Sequence, residues 1–595
     1  MNPHHVKLLK KAHALERAGK SLEASIAYKA FLDQEPKHPD GWSDLAGQLI
    51  RLGQFDAALS ACNAALALDP NHLSARINLG IILMRRDQLG ESERHLRQAL
   101  EAAPGRVDAQ LFLAECLLNK KNLDGAEQML KAVQPGGPWA GTYAMLKHLH
   151  AELWAILGLA LLEVQKFARA EEACRVALRI EPSNLMAKAN LGSIQMAQGH
   201  LMEAERQIRL LLSEHPADAN ARLLLITCLA RKGDLSLADR EIEKILQQEP
   251  DNFVVHKSLT GTYYTLGRWD DYRAEIARYR TVAPTSAYLD YEESFADLIF
   301  GDMRRGWQRF EARLDIQKEL RLNRRSFDQP AWRGESFEGK TLLLWAEQGL
   351  GDTLMFLRYV PLVKAMGGRV IVEAQPPLLD VAATCPGADV IIPKGAPWMP
   401  FDLQASLMSL PNLFRTELST VPAEVPYLGV PEAVPHRQAL QACLDQAGDA
   451  TRIGLVWAGS PGHGRDFERS LPVAFLEPLG ALPGVAWFSF QVGNQDIPPL
   501  PGLTPLAPLF ENFSDTAYAL NAMDLLITVD TSVAHLAGAM GIPTFLLLSY
   551  QPDYRWMLER SDSPWYPTMR LYRQPAYGDW ESVVRQVFTD LTQEA

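Results

Sequence analysis

The sequence predicts two kinds of structure in one chain, an α-helical repeat array followed by an α/β region built on parallel sheets. Three observations carry this expectation. Prolines recur 34 residues apart in the first half, at Pro36, Pro70, Pro104 and Pro138, and again at Pro182, Pro216, Pro250 and Pro284. From Thr341 onward, short apolar runs alternate with helical patterns, as in strands joined by crossover helices. Within that second region Met523–Leu548 reads as strand, polar turn, helix and strand in succession.

The repeats justify the first half. One unit carries Trp42, Leu45, Ala46, Leu49, Gly53, Phe55, Ala58 and Ala65 before Pro70; another carries Trp154, Leu157, Gly158, Leu161, Phe167, Ala170 and Ala177 before Pro182. Small residues such as Ala58 and Ala170 let paired helices approach, and each proline stops a second helix. This is the tetratricopeptide pattern, and it predicts a solenoid over 1–288 whose curved surface suits a peptide or protein partner. Cys62, Cys116 and Cys174 fall in these helices as small core residues. Gln134–His148 interrupts the period, either as a loop with a function or as a tolerated bulge. Residues 289–330 are expected to be capping helices, with Trp307 and Phe310 on one face, and a linker.

Composition bounds the rest. A chain of 595 residues exceeds one core, and 47% hydrophobic with 22% charged content is that of an ordinary globular protein. A net charge of −12 argues against a general nucleic-acid or anionic-membrane binder. No run of eighteen apolar residues predicts a membrane span, and the start has no apolar signal core. The six scattered cysteines form no Cys-x-x-Cys pair, which fits a reducing cytoplasm without structural zinc or disulfides.

In the second half, 331–432 and 433–595 read as two α/β lobes. Thr341–Trp345 is the first strand. It runs into Glu347–Asp352, EQGLGD, and then a helix from about Thr353 to Met366, with Gly349 and Gly351 giving the backbone room to turn and to approach a ligand. Asp352 at the helix start is either an N-cap or a carboxylate placed at the carboxyl end of a strand, where open α/β sheets put their sites. Arg369–Glu373 and Asp389–Ile392 follow as strands. Ile453–Trp457 begins the second lobe and leads into a Gly-rich loop containing Ser460. Arg465 and Arg469 come next, either a solvated pair or a grip on phosphate. Ala486–Gln491 is a strand ending on the Gln491 amide. Leu525–Val529 is a buried strand, Asp530, Thr531 and Ser532 are good helix caps, and the helix they open carries His535 in its first turn. Such a helix start attracts phosphate. Two lobes of this kind suggest a ligand held between them.

EQGLGD, WAGSPGHGRDFERSLP (Trp457–Pro472) and DTSVAHLAGAMGIPT (Asp530–Thr544) resemble the motifs of heptosyltransferase-type glycosyltransferases (family 9) of the GT-B fold. The resemblance runs from about Trp332 to the C-terminus. AEVPYL, SPWYPTMRLYRQ and GDW further resemble tetratricopeptide-linked members, among them bacterial enzymes that glycosylate flagellin with nonulosonic acids such as pseudaminic acid.

The resemblance implies two Rossmann-like lobes, a nucleotide-sugar donor, inversion, no metal and no other cofactor. It implies Asp352 as general base, with Asp530, Thr531, Ser532 and His535 forming the donor-phosphate motif. Arg469 stands where a phosphate-gripping lysine is usual, and Gln491 stands at the donor ribose. The arginine replaces a point charge with a planar fork and leaves one-phosphate and two-phosphate donors both open. The expected activity is sugar transfer to a protein hydroxyl in the cytoplasm, with the solenoid recruiting the acceptor and no nucleic acid or membrane span involved. A lipid-linked or polysaccharide acceptor and a non-catalytic scaffold are the alternatives. Asp553–Trp556 and Trp565–Gln574 offer further aromatics and arginines that serve equally well as packing.

Overall fold

The computed structural model describes residues 3–164, 166–319, 327–460, 466–493 and 496–594. Arg465 and the second half of the Gly-rich loop, 461–464, lie outside these. The chain forms two compact units, Met1–Glu241 and Ile242–Ala595.

The first unit consists of antiparallel helix pairs. They run from Pro3–Arg17 with Ser21–Leu32 and Pro39–Arg51 with Phe55–Leu68 through to Leu185–Ala197 with Leu201–Glu214. Ala58 and Ala170 are fully buried where paired helices meet, as the small-residue pattern requires. Gly158 is closer still, since a Cβ there would lie 2.5 Å from Cys174 Sγ. Cys62, Cys116 and Cys174 are buried in the repeat cores, and burial raises all three thiols, Cys62 and Cys174 to about 12. The Gln134–His148 interruption is largely helical. After a short 3₁₀ turn at Gly137–Trp139, one helix runs from Ala140 to Glu163, so the insertion extends the first helix of its repeat toward the N-terminus. The preceding helix ends at Ala132, six residues before Pro138, and the stop that Pro138 was expected to supply falls earlier. By length and composition Gly137–Glu163 could cross a membrane, yet 44% of its apolar stretch is buried inside the unit. Leu153, Trp154, Leu157 and Leu161 face the repeat core, and the Trp154 indole N–H lies 3.0 Å from His150 Nε2, the ring nitrogen that also faces the Leu130 carbonyl at 3.2 Å.

The second unit opens with further helices, Phe253–Thr265 and Trp269–Val282, then α1 (Ala287–Ile299) and α2 (Met303–Phe310). These last two belong to the core of the α/β region. Trp307 on α2 meets Phe356, Tyr554 and Trp565 edge-on at 5.8, 5.8 and 6.1 Å between ring centres. Arg313, in the next helix, is buried against Glu347, with Nε to Oε1 at 3.0 Å and Nη2 to Oε2 at 2.9 Å. Ser406 donates to the same carboxylate at 2.7 Å.

Two parallel sheets follow. The first contains β1 (Thr341–Trp345), β2 (Arg369–Ala374), β3 (Val390–Pro393) and β4 (Leu403–Ser406) in the order β3-β2-β1-β4. The second contains β5 (Thr451–Val456), β6 (Val485–Ser489), β7 (Thr504–Pro505), β8 (Leu525–Val529), β9 (Thr544–Leu548) and β10 (Met569–Arg573) in the order β10-β9-β8-β5-β6-β7. β8 is buried at every residue, as its continuous apolar run predicts. In both sheets the chain builds outward in one direction and then crosses back beside its first strand. This reversal falls between β1 and β4 and between β5 and β8, and such a switch point opens a crevice at the carboxyl ends of the strands. The helix expected from Thr353 to Met366 is instead α3 (Leu350–Phe356), a 3₁₀ turn and a short helix Val360–Lys364. Pro361 lacks the amide hydrogen needed for one continuous helix.

Candidate functional site

A cavity of about 810 Å³ opens where the carboxyl ends of β1, β5, β6, β8 and β9 converge. All ten residues singled out in the sequence line it: Gly349, Gly351, Asp352, Ser460, Arg469, Gln491, Asp530, Thr531, Ser532 and His535.

The loop after β1 delivers Asp352. This residue is N3 of α3 rather than its N-cap; Gly349 is the N-cap, and its N–H donates to Asp352 Oδ2 at 2.8 Å. The bond is half of a capping box, in which a carboxylate one turn into the helix satisfies an amide that would otherwise be orphaned. The other oxygen, Oδ1, is ion-paired with Arg555 Nη2. Glu347 is held by Arg313 and Ser406, which fixes the start of the same loop. Gly349 has φ −76°, and Gly351 lies inside α3, so neither needs the left-handed freedom that a sharp turn would demand. Gly351 is small for another reason: a Cβ there would meet His535 Cδ2 at 2.7 Å.

β8 delivers the second group. α4 (Ser532–Met540) follows it at once, with Thr531 as N-cap accepting from Ala534 N–H and Gly541 closing the far end at φ 75°. The first amides of α4 therefore face the cavity beside Ser532. Asp530 is partly buried, and burial together with nearby Asp553 raises its carboxyl to about 6. His535 is buried, stacked on Trp556 at 5.4 Å between ring centres, and hydrogen-bonded through Nδ1 to the Tyr566 hydroxyl at 2.9 Å. Burial first, then Arg555, Arg358 and Arg469, hold its imidazole well below the usual histidine range, so it is neutral at pH 7. Any help it gives to a phosphate comes from a neutral ring N–H.

β5 and β6 supply the third side. Arg469 Nε donates to Asp466 Oδ1 at 3.0 Å and the guanidinium lines the cavity. Gly459 makes room for this pair, since a Cβ there would sit 2.2 Å from Asp466 Oδ1 and 2.6 Å from Arg469 Nη2. Gln491 lies just beyond β6, and its amide is occupied structurally. Oε1 accepts from Trp457 N–H at 3.1 Å and Ala458 N–H at 2.8 Å, and Nε2 donates to the Val492 carbonyl at 3.1 Å. It shapes the loop after β5. Phe490, Phe510 and Phe513 form an apolar wall nearby.

Arg555 is the cavity residue that sequence reasoning ranked too low, within Asp553–Trp556. Besides Asp352 it binds Asp553 Oδ1 through Nη1 at 2.6 Å, and it lies over the Tyr554 ring at 4.5 Å. It follows β9 by a few residues, so the rule that placed Asp352 and Asp530 at strand ends would have found it too.

The first unit's helices are tetratricopeptide repeats: that repeat family matches residues 49–97 and 83–147, and in a second form residues 9–72 and 190–252. The chain is also similar to Protein FlbA of Caulobacter vibrioides, 26% identical over 341 residues. That alignment takes in 51% of this chain and 55% of the relative, so the chain spans about half the length of the curated relative it matches. Among solved structures it is similar to a tetratricopeptide repeat protein from Parabacteroides merdae, at 15% identity over 43% of this chain and 98% of that one, with TM-score 0.32. It is also similar to the first tetratricopeptide domain of Spaghetti bound to an HSP90 peptide, at 26% identity over 20% of this chain and 92% of that one, with TM-score 0.19.

Proposed function

We propose that the cavity binds a nucleotide-sugar donor and that the chain is an inverting glycosyltransferase acting on a protein hydroxyl in the cytoplasm, with its two parallel-sheet lobes arranged as in the GT-B fold. The observation that carries this reading is the convergence of a carboxylate, a helix start and two guanidinium groups on one cavity at the switch points of two parallel sheets. The Phe490, Phe510 and Phe513 wall suits a nucleobase. The α4 amides, Ser532 and Arg469 suit the phosphate of the leaving group.

In this reading Asp352 takes the proton of the acceptor hydroxyl as the hydroxyl oxygen bonds the anomeric carbon. The bond from that carbon to the donor phosphate breaks on the opposite face, and the electron pair leaves with the phosphate. Arg469 and the α4 amides hold the negative charge that develops there. No metal is assigned a part. The heptosyltransferase-like motifs support the same assignment, and their tetratricopeptide-linked variants point to flagellin and a pseudaminic-type sugar as first candidates. The repeats supply a surface of the kind that holds a protein acceptor. Intact-mass analysis of candidate acceptor proteins, incubated with this chain and each of several nucleotide-sugars in EDTA, tests it. A single-sugar mass increase that requires Asp352 is the expected result.

A further inference from the structure

The oxygen of Asp352 that would receive a proton is covered. Oδ2 is committed to Gly349 N–H, and Oδ1 is ion-paired with Arg555. The two partners come from different lobes, Asp352 from the loop after β1 and Arg555 from the segment after β9. Arg555 is shared, because its other Nη is on Asp553 at 2.6 Å, and its buried Nε has no hydrogen-bond partner among the described residues. A planar fork held between two carboxylates stands in the same cavity as the α4 helix start. A donor phosphate there competes with Asp352 for the fork: each phosphate of a nucleotide-sugar offers two non-bridging oxygens and a negative charge to the planar guanidinium, and the helix start favours an anion at that spot.

We infer that Arg555 is a latch between two positions, on Asp352 while the cavity is empty and on the donor phosphate once it is filled. Donor binding thereby uncovers Asp352, and the acceptor finds a competent base only after the donor is in place. Occupancy and base release are then two ends of one coupling, and the coupling is reciprocal. Whatever weakens the Asp352–Arg555 pair must strengthen donor binding, to the extent that Arg555 is the group that moves. This rests on reading the cavity as a site for a phosphate-bearing ligand. Arg555 is in this account a positioning residue for Asp352 as well as a phosphate ligand.

Calorimetry on the full chain, with CMP, ADP, UDP and GDP as probes, tests it without any transfer step. Asp352→Asn keeps the Gly349 bond and removes the competing charge, so it should bind nucleotide roughly three- to tenfold tighter than the unaltered chain. Arg555→Gln should bind more weakly, and adding Asp352→Asn to it should restore nothing. A gain that persists in the Arg555→Gln background would be a plain charge effect and would overturn the latch, as would no gain at all. Should Arg555→Gln fail to fold, Arg555→Lys takes its place, and there the Asp352→Asn gain must shrink; an undiminished gain overturns the proposal. If the unaltered chain binds none of the four nucleotides, the reading of the cavity falls together with the latch. If it binds one without the Arg555 dependence, the latch alone falls.

Discussion

Gly351 and His535 touch across two helices, so closely that a Cβ on Gly351 would sit 2.7 Å from His535 Cδ2. The contact joins α3 to α4 and brings Asp352 and Asp530, from different sheets, to one cavity. His535 has little room to retreat, since Trp556 is stacked on it and Tyr566 holds Nδ1. Gly351→Ala should therefore cost about 1–3 kcal/mol of stability by overpacking and weaken nucleotide binding at the same time. Denaturant titration and calorimetry read the two effects, and a variant with unchanged midpoint and affinity would show that the helices part freely.

Asp352→Asn should act on transfer far more than on folding. The amide still accepts from Gly349 N–H, but the ion pair to Arg555 is lost, for roughly 1–3 kcal/mol. Transfer should fall by about two to four orders of magnitude, as for loss of a general base. Single-turnover kinetics on the folded variant check this, and turnover within tenfold of normal would remove Asp352 from the mechanism.

Much of this was legible in the sequence because local chemistry decided it. Thr341–Trp345, Leu525–Val529 and Thr544–Leu548 are strands at the boundaries their apolar runs predict. Thr531 caps α4 as a threonine at that position should, and the cavity gathers all ten chosen residues. Long-range packing decided the remainder. β4, β7 and β10 escaped notice because their sequences are short, Pro-rich or mixed with aromatics. Gln491 read as a ligand group, but two amides from a neighbouring strand's loop claim it. Arg555 read as one arginine among several, since nothing local shows that Asp352, 203 residues away, would meet it.

Asp530 should give the site a pH signature. Its carboxyl is raised from 3.8 to about 6, so the folded chain holds this proton more tightly than the unfolded chain does. Stability from this group therefore falls as pH rises between about 4 and 6, and the cost of the buried charge is fully present above 6. Asp530→Asn should be more stable than the unaltered chain at pH 7.5, by on the order of 1–3 kcal/mol, with the difference vanishing near pH 4. Comparing the two chains at each pH cancels the opposite contribution of neutral, buried His535. Melting curves that differ equally at pH 7.5 and pH 4 would contradict the assignment.

The α/β lobes should not fold from a start near Leu314, although that start lies upstream of 331, where the sequence pattern begins the first lobe. Such a fragment lacks Trp307 and Phe310, which fill the core against Phe356, Tyr554 and Trp565, and Arg313, which neutralises buried Glu347. Removing one partner of a buried ion pair alone costs about 3–5 kcal/mol. A fragment beginning at Asn252, the cap of the helix Phe253–Thr265, keeps these groups and should fold and bind nucleotide. Circular dichroism melts on the two fragments decide it, and a cooperative melt from the shorter one would show that α1 and α2 are dispensable.

What enters the cavity decides most directly what the protein does. Calorimetric titration of the full chain with CMP, ADP, UDP and GDP in EDTA should show one of the four binding at a single site. That binding should weaken at least tenfold in Arg469→Ala, the loss of one charge-assisted contact to phosphate being worth about 1.5–3 kcal/mol. Binding of none of the four, or binding indifferent to Arg469, would contradict the central claim that this is a nucleotide-sugar site.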